Sequence, residues 1–525
     1  MVVPAVMRRV LARNKLFAAV LVPAFLLRLD AELGYRWQSW FNDSWDYMDT
    51  AVTLKLNPAR PSGYSLYLFL LKPFHSLALV TISQHLMGLL IAAMIYALAR
   101  HRFHVPAWIA VLATLPVLFD GFEIQLEHLV MSDTLFLFLA MLAVSLLLWN
   151  PRPSWWVCLL AGLVLGVASI VRSTGLPLIA VFAVYLAIRY LLDRRWLSAI
   201  IGLAVCGAAF AAPVLGYESW YKVQYGQFTM SQSTGVFLYS RVMTFAECSK
   251  MNLPTDLLAL CTTVPPGKRP IAQAYIWTAA SPLDRFSASK FTPLPNTLAE
   301  EFAVKAIEAQ PLDYARTVFH DTWRVFYWPR TAFPNPKTYD EYLFGYSSVP
   351  TASGHAAGGY PSSAAAYLGG GNPLTKVVNP FAALIRVYQR YVWLPGTVFW
   401  LILLAGLIVP LARRRRGAGA EWLLPWLCSV ALIVVPAATA EFDYRYVTTA
   451  VPFACLVVAM GFGRRSVVSA VGTDLGATLG PTLGPTAGSE PGSAPSLPRR
   501  VPGGGPGGGA ADAGHDQRDL APDAP

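Results

Sequence analysis

The chain is organised as a series of apolar runs separated by short loops that carry the charge. About Leu16–Leu29, Thr81–Ala99, Val105–Phe119, Leu129–Leu148, Trp155–Val171, Leu176–Leu192, Leu197–Leu215, Val392–Leu411, Trp422–Ala438 and Val447–Phe462 each read as one membrane-crossing helix, ten in all. The runs at 105–119 and 155–171 sit at or below the ~17-residue minimum for a span. An eleventh apolar stretch, Ser62–Val80, is interrupted by Lys72, Pro73 and His75. Left out of the count, it puts Arg100-His101-Arg102, Arg152, Asp193-Arg194-Arg195, Arg413–Arg416 and Arg464-Arg465 all on one side of the membrane. Counted as a span, it flips every later loop and puts the four-arginine run outside. The bias of basic residues toward the cytoplasm therefore assigns Ser62–Val80 to the interface.

Composition supports a polytopic membrane protein. The 525 residues are 55% hydrophobic and 14% charged, with a mean hydropathy of +0.45. A soluble domain carries roughly 25% charge. A cytosolic enzyme, a nucleic-acid-binding module and a secreted disulfide scaffold are excluded. The net charge of +11 sits in the short loops, where it sets orientation and does not mark a nucleic-acid partner. Met7-Arg8-Arg9, Arg13 and Lys15 before the first run place the N-terminus in the cytoplasm, as an anchor and not a cleaved leader.

Four regions follow: a membrane module over 1–216, an extracytoplasmic loop domain over 217–391, a three-helix membrane module over 392–465, and a tail over 466–525. In the loop domain, Thr297-Leu298-Ala299-Glu300 reads as a capping box that opens a helix toward Ala309, and Pro311 opens a second, amphipathic stretch through Tyr327. Thr351–Asn372, rich in Gly, Ser and Ala, reads as a mobile loop. The tail is dominated by Gly and Pro and lacks the apolar content to bury a core, which reads as disorder in the cytoplasm. Cys158, Cys206, Cys428 and Cys455 fall in apolar runs as small core residues. Cys248 and Cys261 lie together in the outer loop, where an oxidising exterior favours a disulfide.

No charge falls in the middle of a predicted span, which argues against an ion-coupled transporter. The charges gather at the outer mouth instead: Asp43/Asp46/Asp49, Glu123/Glu127/His128, Asp133, Arg172 and Glu441/Asp443/Arg445. Asp133 opens an apolar run and needs a partner, an ion or water there; Arg172 reads otherwise as an arginine snorkelling to the interface. His75, His85 and His104 read as isolated interfacial histidines without a role. Asp43 and Asp46 are about a helical turn apart, so each raises the pKa of the other as a like charge.

At this point the arrangement resembles the GT-C glycosyltransferases, in the phospholipid-carrier-dependent branch that includes aminoarabinose transferases and protein mannosyltransferases. Asp43-Ser44-Trp45-Asp46-Tyr47 is similar to the Asp-x-x-x-Tyr pattern of their catalytic loop, and Pro61-Ser62-Gly63-Tyr64 to the entry of their interfacial helix. Asp133 resembles the acid opening the fourth helix, Gly166 through Arg172 the fifth-helix motif, and Arg445-Tyr446 a late Arg-Tyr pair. Where many relatives carry an arginine, five positions before that acid, this chain has His128.

The resemblance implies an inverting transfer of a sugar from a polyprenyl-phosphate donor to a cell-envelope glycan, lipid or protein on the outer face of the plasma membrane. Asp43 is the expected base and Asp46 its runner-up; Tyr47, Tyr64, Asp133, Arg172 and Arg445 are expected to bind donor and phosphate. The resemblance fixes no cofactor; a divalent metal ion, where one is used, falls to Asp43, Glu127, His128 and Asp133. The rival readings are a non-catalytic cell-envelope scaffold and a lipid or polysaccharide transporter.

Overall fold

The computed structural model describes residues 14–36, 38–279, 281–346, 361–414 and 420–463. The tail beyond Ser466, and the part of the Thr351–Asn372 run before Pro361, lie outside the described residues. The rest is an all-α polytopic membrane protein. Its described strands are a two-residue antiparallel pair, Tyr35–Arg36 with Lys376–Val377.

By length and apolar composition alone, four helices among the described residues can cross a membrane: Leu77–Arg102, Ser132–Trp149, Ser173–Leu192 and Trp196–Tyr225. Trp155–Val171, Leu423–Thr439 and Tyr444–Met460 are apolar but shorter. The run predicted at Val392–Leu411 belongs to a bent pair, Phe381–Tyr391 and Gly396–Ala412, which meet at 59°. Pro395 explains the break, because the residue before a proline is pushed out of helical geometry. Val105–Phe119 is likewise split into Ala107–Leu112 and Leu115–Phe119, with Pro116 at the start of the second piece. The first apolar run forms the helix Lys15–Gly34, which carries Arg28, Asp30 and Glu32 in its last two turns.

The interrupted stretch, expected as one interfacial element, is divided between two helices. A short helix, Gly63–Leu71, stops at a turn of 3₁₀ helix over Lys72–Phe74. A new helix, Leu77–Ala97, then starts behind Ser76, whose hydroxyl caps it by accepting from the Leu79 N–H at 3.3 Å. Ser132–Trp149 is the most buried of the four helices able to cross a membrane, with about two thirds of it inside, whereas Trp196, Leu197 and Ile200 are largely exposed, as lipid-facing residues are.

Trp196–Tyr225 runs past its predicted end at Leu215. Its 30 residues extend ~45 Å at 1.5 Å each, well beyond a ~30 Å hydrocarbon core. The projecting turns hold the first loop. The Tyr217 hydroxyl accepts from the Ser62 N–H at 3.1 Å, Gln224 accepts from the Leu56 N–H at 2.8 Å, and the Tyr225 hydroxyl donates to the Leu56 carbonyl. The same helix packs on Trp155–Val171 through Gly162 and Gly166. A Cβ at Gly162 would lie 2.2 Å from the Cys206 carbonyl oxygen, and one at Gly166 2.4 Å from that of Phe210. Two small residues four apart let the backbones touch, the usual way membrane helices associate.

The region between Gly226 and Tyr346 has its own apolar cluster, built around Val236, Tyr239, Leu260 and Phe302. Its main helix is Pro293–Ala309, so the expected capping box sits one turn inside the helix and does not open it. Pro293 starts it instead, since proline's missing N–H costs nothing at a first turn. The second expected helix forms over Pro311–Arg324 and presents Asp321 to Arg241 in a buried pair at 2.6 Å. Cys248 and Cys261 are bonded to each other, and the other four cysteines are buried thiols. Within the expected mobile loop, Pro361–Tyr367 is helical and Tyr367 is buried, its hydroxyl donating to the Leu68 carbonyl at 3.0 Å.

A larger side chain at Gly166 has no room to relax, because the obstacle is backbone. Gly166→Val should lower the stability of the detergent-solubilised chain by about 1–3 kcal/mol, the usual cost of overpacking. Thermal unfolding checks this; an unchanged transition would show that the helices do not pack this closely.

Candidate active site

Asp43 lies at the start of the short helix Ser44–Thr53, between two arginines from opposite ends of the chain. Its Oδ2 is 2.6 Å from Arg60 Nη1 and 2.8 Å from Arg445 Nη1. Arg60 turns its other nitrogen to Asp46 Oδ2 at 3.2 Å, and Arg445 Nε meets Asp443 Oδ2 at 3.2 Å. The Tyr342 hydroxyl donates to the remaining oxygen of Asp443 at 2.6 Å.

These groups open onto a cavity of about 830 Å³ whose walls include Asp43, Tyr47, Arg60, Arg172, Glu441 and Arg445. Val171, Leu176, Val435 and Pro436 give it an apolar side, and Ile276 and Trp277 of the loop region face it as well.

Arg172 and Asp133 are held by the ends of their helices. Arg172 follows the C-terminus of Trp155–Val171, and Asp133 sits in the first turn of Ser132–Trp149. Each charge is at the helix end whose dipole favours it. The two form an ion pair, with Asp133 wholly buried. Arg172 is therefore a half-buried, paired cation at the cavity wall and not a lone arginine snorkelling to the interface, and its guanidinium lies 5.1 Å from the Tyr446 ring centroid.

The structure sorts the expected residues. Asp43, Tyr47, Arg172 and Arg445 come together at the cavity wall. Asp46, 2% exposed, stands behind them on Arg60, and Asp133 stands behind Arg172. Tyr64 is wholly buried, stacked edge-on against Tyr47 and donating to Gln84 at 2.7 Å. Tyr47 itself shares a 2.9 Å hydrogen bond with Ser132.

The four groups considered for a metal ion do not converge. Asp43 and Asp133 are taken up by arginines, while Glu127 pairs with Arg28 at 2.6 Å and with His85 at 2.8 Å. They do not fit a shared divalent ion.

Arg60 escaped sequence reasoning, although its place just before Pro61 and the need of three nearby aspartates for a counter-charge were the available signals. So did His85, which is buried against Glu127 and His128 and is not an isolated interfacial residue.

Electrostatics also reverse one expectation. Burial works to raise the Asp43 carboxyl, but Arg60 and Arg445 outweigh it and hold the group well below the ordinary carboxylate range. The like charge of Asp46 does not lift it, because Arg60 stands between the two. Asp443 is moved the other way, upward, chiefly by burial. Glu441 is pushed up to about 8, mainly by burial with the nearby Asp321 adding to the rise.

A family model matches the middle of the chain. Residues 66–217 match the family model described as dolichyl-phosphate-mannose-protein mannosyltransferase. The match covers less than a third of the chain.

Among solved structures, the Archaeoglobus fulgidus oligosaccharyltransferase complex with zinc and sulfate is 11% identical, with a TM-score of 0.40, over 87% of this chain and 49% of that one. The AglB oligosaccharyltransferase of the same organism, in complex with an inhibitory peptide and a dolichol-phosphate, is 14% identical with a TM-score of 0.40, over 88% and 51%. ArnT from Cupriavidus metallidurans bound to undecaprenyl phosphate is 14% identical with a TM-score of 0.34, over 90% and 81%. The chain thus spans about half the length of the archaeal oligosaccharyltransferases. No curated protein matches it.

Glu441 supplies a pH signature. Its folded pKa of about 8 lies above the ordinary value of 4.5, so the folded state holds the proton more tightly. That contribution is complete below pH 4.5 and is lost as pH rises through 8. Glu441→Gln keeps an oxygen to accept from the Gln273 N–H, 3.2 Å away, and cannot ionise. Its unfolding temperature should match the native chain near pH 4.5 and exceed it increasingly toward pH 9. Parallel curves in a thermal-unfolding pH series would remove Glu441 as the titrating group.

Proposed function

We propose that this protein transfers a sugar from a polyprenyl-phosphate donor to a hydroxyl of a cell-envelope glycan, lipid or protein, at a site facing the extracytoplasmic side of the plasma membrane. Sidedness rests on the distribution of basic loops, which also puts both termini in the cytoplasm. Sugar nucleotides are made in the cytoplasm, so a site on the far side must receive its sugar already carried across on a lipid.

The observation that carries the reading is a carboxylate among three arginines at one half-apolar cavity. Asp43, Arg60, Arg172 and Arg445 share its wall. Arginine is suited to phosphate because its planar donors meet two oxygens at once. The apolar side suits the first isoprene units. The cavity is large enough for a sugar phosphate with room for an acceptor hydroxyl.

In the transfer, the acceptor oxygen attacks the anomeric carbon from the face opposite the phosphate and its proton passes to Asp43. The bond between anomeric carbon and phosphate oxygen breaks, leaving the polyprenyl phosphate with the electron pair. Arg172 and Arg445 neutralise the charge that develops there. The leaving phosphate needs no proton, so one carboxylate and the cations suffice. Asp43 is held weakly basic while both its arginines are engaged. The donor phosphate competes for Arg445, and loosening that contact returns basicity to the carboxylate when the substrate is in place.

Asp43→Asn preserves size and most hydrogen bonding but removes the base. Turnover should fall ~10²-fold or more, the usual contribution of a general base, with donor binding kept. Asp46→Asn, set back from the cavity, should cost less. The assay is transfer from a panel of synthetic polyprenyl-phosphate sugars by the purified chain. Near-native turnover in both variants would remove the catalytic reading in favour of a scaffold.

A further inference from the structure

Away from the Asp43 cavity, a second group of ionisable side chains is buried where three helices meet. Glu32 comes from the end of Lys15–Gly34, His85 from Leu77–Ala97, and His128 from the last residue of Gly121–His128. They are 7%, 4% and 0% exposed, and none lines the Asp43 cavity.

Hydrogen bonding dictates which ring nitrogens carry protons. His85 Nδ1 is 2.8 Å from Glu127 Oε2, whose other oxygen accepts from Arg28 at 2.6 Å. That nitrogen donates. His128 Nε2 is 2.8 Å from the Tyr35 carbonyl, which can only accept, so it donates too. Neutral rings then carry bare lone pairs on the nitrogens left over, and these two face each other at 3.2 Å. Glu32 Oε1 points at the same place, 3.7 Å from His85 Nε2 and 3.8 Å from His128 Nδ1. Three electron-rich atoms thus converge in a buried spot.

From this geometry we propose that the three residues form a zinc site. A point in the plane of the three atoms lies about 2.1 Å from each, by the three separations. Zinc bonds to imidazole nitrogen and carboxylate oxygen measure ~2.0–2.2 Å. Two imidazoles with one carboxylate suit a borderline-soft divalent ion and not magnesium or calcium, which prefer all-oxygen sets. The outer contacts fit as well, since zinc-bound histidines usually give their other N–H to a carboxylate or a backbone carbonyl. His85 and His128 do one of each.

The role follows from position. The ion joins three helices directly under the strand of chain that leads to Asp43. The His128 carbonyl accepts from the Ser39 N–H at 3.0 Å, and the Ser39 carbonyl accepts from Val130 at 3.2 Å. Holding His128 therefore holds the approach to the first loop. The site is a positioning device that takes no part in the sugar chemistry, and it stands whatever reaction the Asp43 cavity performs.

The test uses the full chain in detergent, stripped with a chelator and reloaded with zinc alone, with bound metal counted by mass spectrometry. One zinc per native chain is expected, with none in His85→Ala or His128→Ala. The isosteric Glu32→Gln should weaken uptake at least tenfold, and Asp43→Asn should leave it unchanged. Cobalt in place of zinc reads the site without any variant: visible bands of low-symmetry, nitrogen-ligated cobalt should appear in the native chain. The proposal is overturned by a native chain that takes up no zinc, as when the two histidines share a proton. Uptake unchanged in the histidine variants, uptake lost in Asp43→Asn, or a cobalt spectrum like that of the hydrated ion would each do the same.

Discussion

The contact of Asp43 with Arg60 and Arg445 carries the architecture of the site. A carboxylate that is 15% exposed beside a membrane is tolerated only if cations meet it, and here one comes from seventeen residues ahead and the other from the final helix. The two arginines thereby join the first loop to the end of the bundle. Breaking such a pair by removing one partner typically costs 3–5 kcal/mol, because the other charge is left buried alone. The cavity cannot form from the N-terminal half alone. Its walls belong to both ends of the chain.

Everything that positions the first loop answers to that contact. The overlong helix Trp196–Tyr225 reaches out to grip residues 54–62 with Tyr217, Gln224 and Tyr225. Arg60 leaves that gripped stretch toward Asp43. Its neighbour Trp155–Val171 is drawn in at Gly162 and Gly166, which sets Arg172 at the cavity mouth, and Asp133 holds it there. Small residues in a membrane helix thus act at a distance: they fix how near a charged side chain several residues later can come to its partners.

The pattern of runs and loops made much of this legible. Apolar stretches located the helices, but Ser62–Val80, read as one interfacial stretch, is divided at Lys72–Phe74, and its last residues open the helix Leu77–Ala97. Helix ends were less readable. Leu215 seemed a natural stop because hydropathy falls there, yet the helix continues, since tyrosines packing on a neighbouring loop support it where lipid no longer does. The capping-box reading at Thr297 failed for a related reason: local signals compete, and Pro293 was the stronger start. The disulfide between Cys248 and Cys261 followed from compartment and proximity in sequence.

Sequence by itself determined that the chain lives in a membrane, roughly where its helices run, and that its acids and arginines gather toward one end, because burial of apolar runs and the expense of charge in lipid are properties of local stretches. It also marked Asp43, Tyr47, Arg172 and Arg445, whose spacing resembles a known class. Only the tertiary structure decided which charges meet. Arg60 lies beside Asp43, Asp133 lies behind Arg172, and His85 joins Glu32 and His128 across more than forty residues of chain. Those pairings depend on helix crossings measured in single ångströms, which no one-dimensional pattern encodes. They also set the sign of the electrostatics: Asp43 is held low by its arginines while Glu441, without a cation in contact among the described residues, is driven up by burial.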